Sequence, residues 1–183
     1  MIVLAVNKPR GIVCTEERRE RDSIVRFLNY PVRITYVGRL DKDSEGLLLM
    51  TNNGDIINRM MRAANKHEKE YKVTVDKPVT DEFLKEMAGG VPILDTVTRP
   101  CQVEKLGKYK FKIILTQGLN RQIRRMCEVL GYEVKELRRV RIMNIELGNL
   151  KPGEYRKVTD QELNELYELI RDSKSEPTPW KNN

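Results

Sequence analysis

Gly38-Arg39-Leu40-Asp41-Lys42-Asp43-Ser44-Glu45-Gly46-Leu47-Leu48-Leu49-Met50-Thr51-Asn52 sets a charged run directly before an unbroken apolar one. The apolar half, residues 46–50, reads as a buried strand, and residues 34–40 read as another. Residues 41–45 form the polar connection between them. Strands joined by so short a connection lie antiparallel, because a parallel pair needs a long crossover. The same connection sets Asp41 at a strand end, where a loop opens and a site can form. Asp41, Asp43 and Glu45 stand beside Arg39 and Lys42, so a solvated turn is one reading of the run. A carboxylate pair of the glycosidase kind, Asp41 with Asp43, is another; in a loop their separation stays open.

Outward from this stretch, residues 2–6 read as a buried strand ending at Asn7-Lys8-Pro9, with Gly11 allowing a turn. Asp22 or Ser23 can cap a short helix carrying Ile24, Val25, Phe27 and Leu28. Asn52-Asn53-Gly54-Asp55 is a turn feeding a helix with Ile56, Ile57, Met60 and Met61. Residues 70–76 alternate as a strand, with Tyr71, Val73 and Val75 on one face. Thr80 caps a helix carrying Phe83, Leu84 and Met87, and Gly89-Gly90 ends it. Residues 99–106 and 109–116 form a hairpin across Gly107-Lys108.

Asn120 is expected to cap the next helix, whose stripe is Ile123, Met126, Cys127 and Leu130, with Gly131 as its stop. Strand follows to Leu147, then a turn at Pro152-Gly153 and a capping box, Thr159 with Glu162, before a helix carrying Leu163, Leu166, Tyr167 and Ile170. Residues 172–183, Trp180 among them, read as a disordered polar tail. Strands and helices mix without regular alternation. The expected fold is therefore α+β, a mostly antiparallel sheet flanked by helices, in one two-lobed domain over residues 1–171.

The chain has 183 residues, 39% of them hydrophobic, and no apolar run approaches the roughly 18 residues that cross a bilayer. No signal peptide opens it. Cys14, Cys101 and Cys127 are odd in number and widely spaced, which points to a reducing cytoplasm and away from a disulfide framework or zinc site. His67 is the sole histidine, so neither a histidine metal centre nor a Ser-His-Asp triad is expected. A net charge of +7 and a pI near 9.3 favour a polyanionic partner. The charge is concentrated: Arg121, Arg124, Arg125, Lys135, Arg138, Arg139 and Arg141 face only Glu128, Glu133 and Glu136 over residues 121–141. At about 100° per residue, Arg124 falls at the border of the apolar stripe, while Arg121 and Arg125 point away from it.

Gly38-Arg39-Leu40-Asp41, with Ser44, Gly46-Leu47-Leu48, Thr51-Asn52 and Gly54-Asp55, resembles the signature of ribosomal pseudouridine synthases. The branch resembled holds small-subunit synthase A and large-subunit synthases B, E and F. Further motifs follow in order: Asn7-Lys8-Pro9 with Gly11 and Thr15, Lys69-Glu70-Tyr71 with Val73, and Asn120-Arg121-Gln122-Ile123-Arg124-Arg125-Met126. Finer wording, such as residues 67–71, 90–94, 118–121 and 141–144, resembles the large-subunit synthase F subfamily.

The resemblance implies the pseudouridine synthase fold, two lobes around a cleft, and isomerisation of one uridine without metal or cofactor. It implies Asp41 as the catalytic carboxylate, Tyr71 stacking on uracil, and Arg124 pairing with Asp41. Arg39 would keep the flipped-nucleotide region open, facing opposite to Asp41 by strand alternation. Lys8, Arg121, Arg125, Arg138, Arg139 and Arg141 are the expected RNA contacts. The partner implied is a ribosomal RNA stem-loop of the large subunit, with transfer RNA as an alternative, met by a monomer. A non-catalytic RNA-binding or ribosome-assembly factor on the same fold is the other reading. Members of the branch commonly carry an S4 domain ahead of the catalytic one, and the early position of Asn7-Lys8-Pro9 leads us to expect none here.

Overall fold

The apolar run of residues 46–50 lies inside a mixed sheet. The computed structural model describes residues 1–64 and 66–171, so the expected tail, with Trp180, lies outside the described residues. The first half of the chain runs β1 (Val3–Lys8), α1 (Ile24–Leu28), β2 (Thr35–Val37), β3 (Glu45–Thr51), α2 (Gly54–Ala63) and β4 (Lys69–Val75). It continues with α3 (Asp81–Gly89), β5 (Pro92–Ile93), β6 (Thr96–Val97), β7 (Gln102–Gly107) and β8 (Lys110–Leu115). The last elements are α4 (Gln122–Val129), β9 (Val134–Ile142), β10 (Ile145–Glu146), β11 (Tyr155–Lys157) and α5 (Asp160–Ile170). Among the described residues no helix is long and apolar enough to cross a membrane.

The main sheet has the order β11-β1-β3-β9-β4-β8-β7, with β2 added beside β3 and β10 beside β9. Its pairings are antiparallel except at one seam. There β3 meets β9 in parallel through only Glu45↔Arg138 and Gly46↔Arg139. The seam divides the molecule into two halves with separate apolar packing, which gives physical form to the expected lobes.

In the first half, alternation along β1 and β3 sends Val3, Ala5, Leu47 and Leu49 to one face. Ile56, Met60 and Ala63 of α2, with Leu166 and Ile170 of α5, cover that face. Leu4, Val6, Leu48 and Met50 go to the other, against Ile24, Ile34 and Leu40. Both faces are buried, so both strands read as continuous apolar runs. In the second half Val73, Val75, Phe111 and Ile113 pack against Phe83 and Met87 of α3 and Ile123, Met126 and Cys127 of α4. Lys72 and Lys110 on the opposite face are exposed.

Helix ends follow their capping residues. Ser23, Thr80 and Thr159 each accept from the backbone N–H three positions on, and Thr159 with Glu162 completes the capping box. Two expectations change. The strand expected over residues 34–40 covers only Thr35–Val37, because Gly38 turns to a φ of +71°. Asn120 does not cap α4: Arg121 occupies that position in the left-handed region, φ +49°, without a side-chain cap bond. The strand expected to Leu147 is split into β9 and β10, and the pair β5–β6 and the strand β11 carried no signal of their own in the sequence.

Candidate active site

Asp41 sits on the loop between β2 and β3, and that loop is tied from both sides. Leu40 turns inward, 7% exposed, into the apolar cluster with Cys14. Gly11 N donates to the Lys42 carbonyl at 2.7 Å, Ser44 N to the Asp41 carbonyl at 3.0 Å, and Arg39 Nη2 to the Cys14 carbonyl at 3.0 Å. From α4 comes a second set of ties. Arg121 grips Asp43 with both ends of its fork, at 3.0 and 2.8 Å, and lies 3.4 Å from Asp41 Oδ2. Arg124 Nη2 donates to the Asp43 carbonyl at 2.8 Å and to Ser44 Oγ at 3.3 Å. The Arg121 hydrogen bonds hold the Asp43 carboxyl below the usual range. A non-glycine residue in the left-handed region is disfavoured by roughly 1–2 kcal/mol. The bidentate Arg121–Asp43 pair offsets that strain and puts a cation beside Asp41.

Asp41 lines a cleft of about 670 Å³ at the seam, shared with Arg39, Lys69, Tyr71, Arg121 and Arg139. The two sides of this cleft come from different halves of the sheet. Register shifts in the β4–β9 ladder set Glu70 against Arg141 but Tyr71 against Arg139, skipping Val140. This bulge points both Tyr71 and Arg139 into the cleft. Gly46 lets β3 approach β9: a Cβ there would overlap the Arg139 carbonyl and stand 2.7 Å from its nitrogen. Lys69, two residues before Tyr71, reaches the Ala64 carbonyl at 2.8 Å. Burial, then the nearby Arg139 charge, lowers its pKa to about 8.

Several sequence expectations for the basic residues are corrected here. Lys8 cannot contact a phosphate, because it is fully buried and its Nζ donates to the carbonyls of Pro9 and Ile12 at 2.9 and 2.7 Å. Burial lowers its pKa to about 8. Arg141 is spent on Glu68, Glu70 and the Met143 carbonyl, which leaves it a structural cross-link. Arg139 is 5% exposed, part of the cleft wall and not of an outer basic face.

The cation at Asp41 is Arg121, and Arg124 supports the loop from behind through Asp43 and Ser44. Arg39 lines the same cleft as Asp41, since residues 38–44 are loop and strand alternation does not apply. Arg125 clasps Asn120 through its carbonyl and Oδ1, at 3.0 and 2.9 Å. Arg138 remains exposed, with only a 3.7 Å approach to Glu45. Lys69 is a cleft residue to which the sequence assigns no role; its place on the Tyr71 side of an alternating strand is the available signal.

Comparison with known proteins decides the family. The model of the RNA pseudouridylate synthase family matches residues 2–129. The chain belongs to this family. Asp41, Tyr71, Arg121 and Arg124 fall within the stretch matched by the synthase model, while Arg138, Arg139 and Arg141 lie beyond it. Among synthases, the dual-specificity RNA pseudouridine synthase RluF of Shigella flexneri is 57% identical over 98% of this chain. The chain spans 62% of that relative's length. The ribosomal small subunit pseudouridine synthase A of Yersinia pestis is 35% identical over 86% of this chain and 69% of its own. A crystal structure of a pseudouridylate synthase superposes with a TM-score of 0.82 at 32% identity, covering 90% of this chain and 73% of that one. These synthases agree with the branch and subfamily that the motifs resemble, and with the expected α+β synthase fold.

Proposed function

We propose that this chain is the catalytic unit of an RNA pseudouridine synthase that converts a uridine of large-subunit ribosomal RNA to pseudouridine. The observation that carries the reading is the convergence of Asp41 and Tyr71 on one cleft, in a member of a synthase family. The ribosomal target draws its support from a relative named for the small ribosomal subunit, and the large-subunit choice from the motifs that resemble synthase F.

In this reading a uridine leaves its stack and enters the cleft at the seam. Tyr71 offers a ring for the uracil to lie against. Asp41 starts the reaction, either by attacking C1′ of the ribose or by assisting elimination to a glycal. Arg121, 3.4 Å away, sets a positive charge beside the Asp41 carboxylate. Arg124 acts as a positioning residue, fixing the loop through Asp43 and Ser44. Isomerisation needs no added water and no electron carrier, so these side chains suffice.

The test is pseudouridine mapping on unmodified ribosomal and transfer RNA incubated with the purified protein, with Asp41→Asn alongside. A site formed by the wild type and missing with Asp41→Asn supports the assignment and names the substrate. A modified site in transfer RNA alone would move the target, and turnover retained by Asp41→Asn would overturn the role of Asp41.

A further inference from the structure

Arg139 is a buried cation without a counter-charge. It is 5% exposed, its Nε donates to the Leu47 carbonyl at 2.8 Å, and its Nη2 is buried with no hydrogen-bond partner. Among the described residues no carboxylate stands within ion-pair distance of it. A guanidinium withdrawn from water strongly favours an anion or a carbonyl beside it, and an open buried donor calls for a partner. Arg141, two positions on, shows the contrast: it is equally positive and fully committed to Glu68, Glu70 and the Met143 carbonyl.

A second cation stands beside the first. Lys69 lines the same cleft, and of its three donors one is used, toward the Ala64 carbonyl. The two charges are close enough that Arg139 helps to lower the Lys69 pKa, after burial. Both flank Tyr71: Arg139 is its register partner across the strands, and Lys69 shares its side of β4. The exposed cations of the cleft, Arg39, Lys42 and Arg121, line its rim, whereas Arg139 lies in the wall. A ring lying on Tyr71 would turn its edge to the wall, and a backbone phosphate would sit at the rim.

We infer that Arg139, with Lys69 beside it, receives the carbonyl oxygens of the target uracil and the negative charge they gain when the ring leaves the ribose. This rests on the synthase reading above and adds a leaving-group role to it. When the C1′–N1 bond breaks, its electron pair departs on N1 and spreads to O2 and O4. C1′ is taken up by the Asp41 carboxylate as an ester, or a C2′ proton is lost to give the glycal and later returned. The uracil anion turns, and C5 forms the new bond to C1′ as the ester C1′–O bond breaks and Asp41 leaves as carboxylate, or as C2′ of the glycal regains its proton. The C5 proton is released and one is gained at N1, so the product is an isomer and nothing is oxidised or reduced. Donors already fixed where charge develops need no rearrangement at the moment of reaction, and losing one typically slows such a step by ~100- to 1,000-fold.

The experiment uses the RNA whose uridine the wild type converts, with Arg139→Gln and Lys69→Met as variants. Single-turnover rates at saturating RNA are compared with Kd from filter binding, and circular dichroism reports folding. The expected result is a rate lower by ~100-fold or more with Kd changed less than about threefold. A second arm places 5-fluorouridine at the target position, because its ring anion is intrinsically more stable. Consumption of that nucleotide, followed by mass spectrometry, should show the variants' deficit shrinking by about tenfold. If Arg139→Gln fails to fold, Lys69→Met, at a partly exposed position, carries both arms.

Unchanged rates, or a loss confined to Kd with a shallower salt dependence, would assign these cations to phosphate and overturn the inference alone. A deficit identical on both substrates would overturn the leaving-group role. A wild type silent on every RNA would overturn the synthase reading and this one with it.

Discussion

Replacing Gly46 by alanine tests whether the seam sets the site. The new methyl would overlap the Arg139 carbonyl oxygen and stand 2.7 Å from Arg139 N and 3.0 Å from its carbonyl carbon. These are backbone atoms, so no side chain can swing aside. Overpacking of this kind is destabilising by roughly 1–3 kcal/mol. The residue's φ of +109° adds a conformational penalty of roughly 1–3 kcal/mol for any side chain. The sum, roughly 2–6 kcal/mol, is a large part of the roughly 5–15 kcal/mol that holds a domain together.

Urea unfolding followed by fluorescence and circular dichroism should show the midpoint falling with the slope unchanged. Gly54→Ala serves as the control: nothing lies within 4 Å of its added Cβ and it opens α2, so stability should rise by about 0.5 kcal/mol. Conversion of uridine by the folded fraction of Gly46→Ala should fall about 100-fold, since β3 and β9 carry opposite sides of the cleft. A loss of stability under about 1 kcal/mol would refute the packing argument, and full activity would refute the link between seam and site.

Glu162→Gln should destabilise the protein by roughly 2 kcal/mol at neutral pH. Its pairing with Arg156, at 2.7 Å, holds the carboxyl at about 2 against an ordinary 4.5. At about 1.4 kcal/mol per pH unit the ceiling is roughly 3 kcal/mol, and solvent screening brings it to roughly 2. A depressed carboxyl stabilises above its unfolded value and loses that effect as acidity approaches its folded value. The gap between wild type and variant should therefore be full above pH 5 and close between pH 5 and 2; a gap constant over that range would contradict the pairing. Arg138→Ala should weaken RNA binding and reduce the salt slope by about 1, with the single-turnover rate at saturation unchanged. A loss of rate equal to the loss of binding would place Arg138 in the chemistry instead.

What the sequence disclosed follows from how local each signal is. Ser23, Thr80 and the Thr159–Glu162 box announced helix starts because a cap needs one residue type at one place. The run from Leu47 to Met50 announced a strand buried on both faces for the same reason. β11 was silent because Tyr155, Arg156 and Lys157 have no apolar alternation; pairing with β1 makes them a strand. Lys8 misled because charge reads as surface, yet it continues a wholly buried strand opposite Gly46.

On α4 the helical wheel correctly sent Arg124 inward, to 13% side-chain exposure. It also sent Arg121 away from the stripe, where Arg121 is exposed; its grip on Asp43 comes from a left-handed position ahead of the helix, which no wheel describes. In β9 the alternation of Leu137, Arg138 and Arg139 held the information about which arginine turns in. The bulge beyond Arg139, which no local pattern marks, sends Arg141 to Glu70. Convergence of Asp41 and Tyr71 on one cleft came from the motifs, while the company of Lys69 and Arg139 needed the folded chain.

The ties on the Asp41 loop also set an order of events during synthesis. Gly11 and Cys14 are already present when the loop leaves the ribosome, but its other anchors arrive much later. Arg121 binds Asp43 across 78 residues, and Arg124 reaches the Asp43 carbonyl across 81. Until α4 emerges, a nascent chain holds every residue of the loop without the grip that fixes it. A chain that ends before Arg121 carries Asp41 and Tyr71 yet lacks both side chains that hold the loop between them.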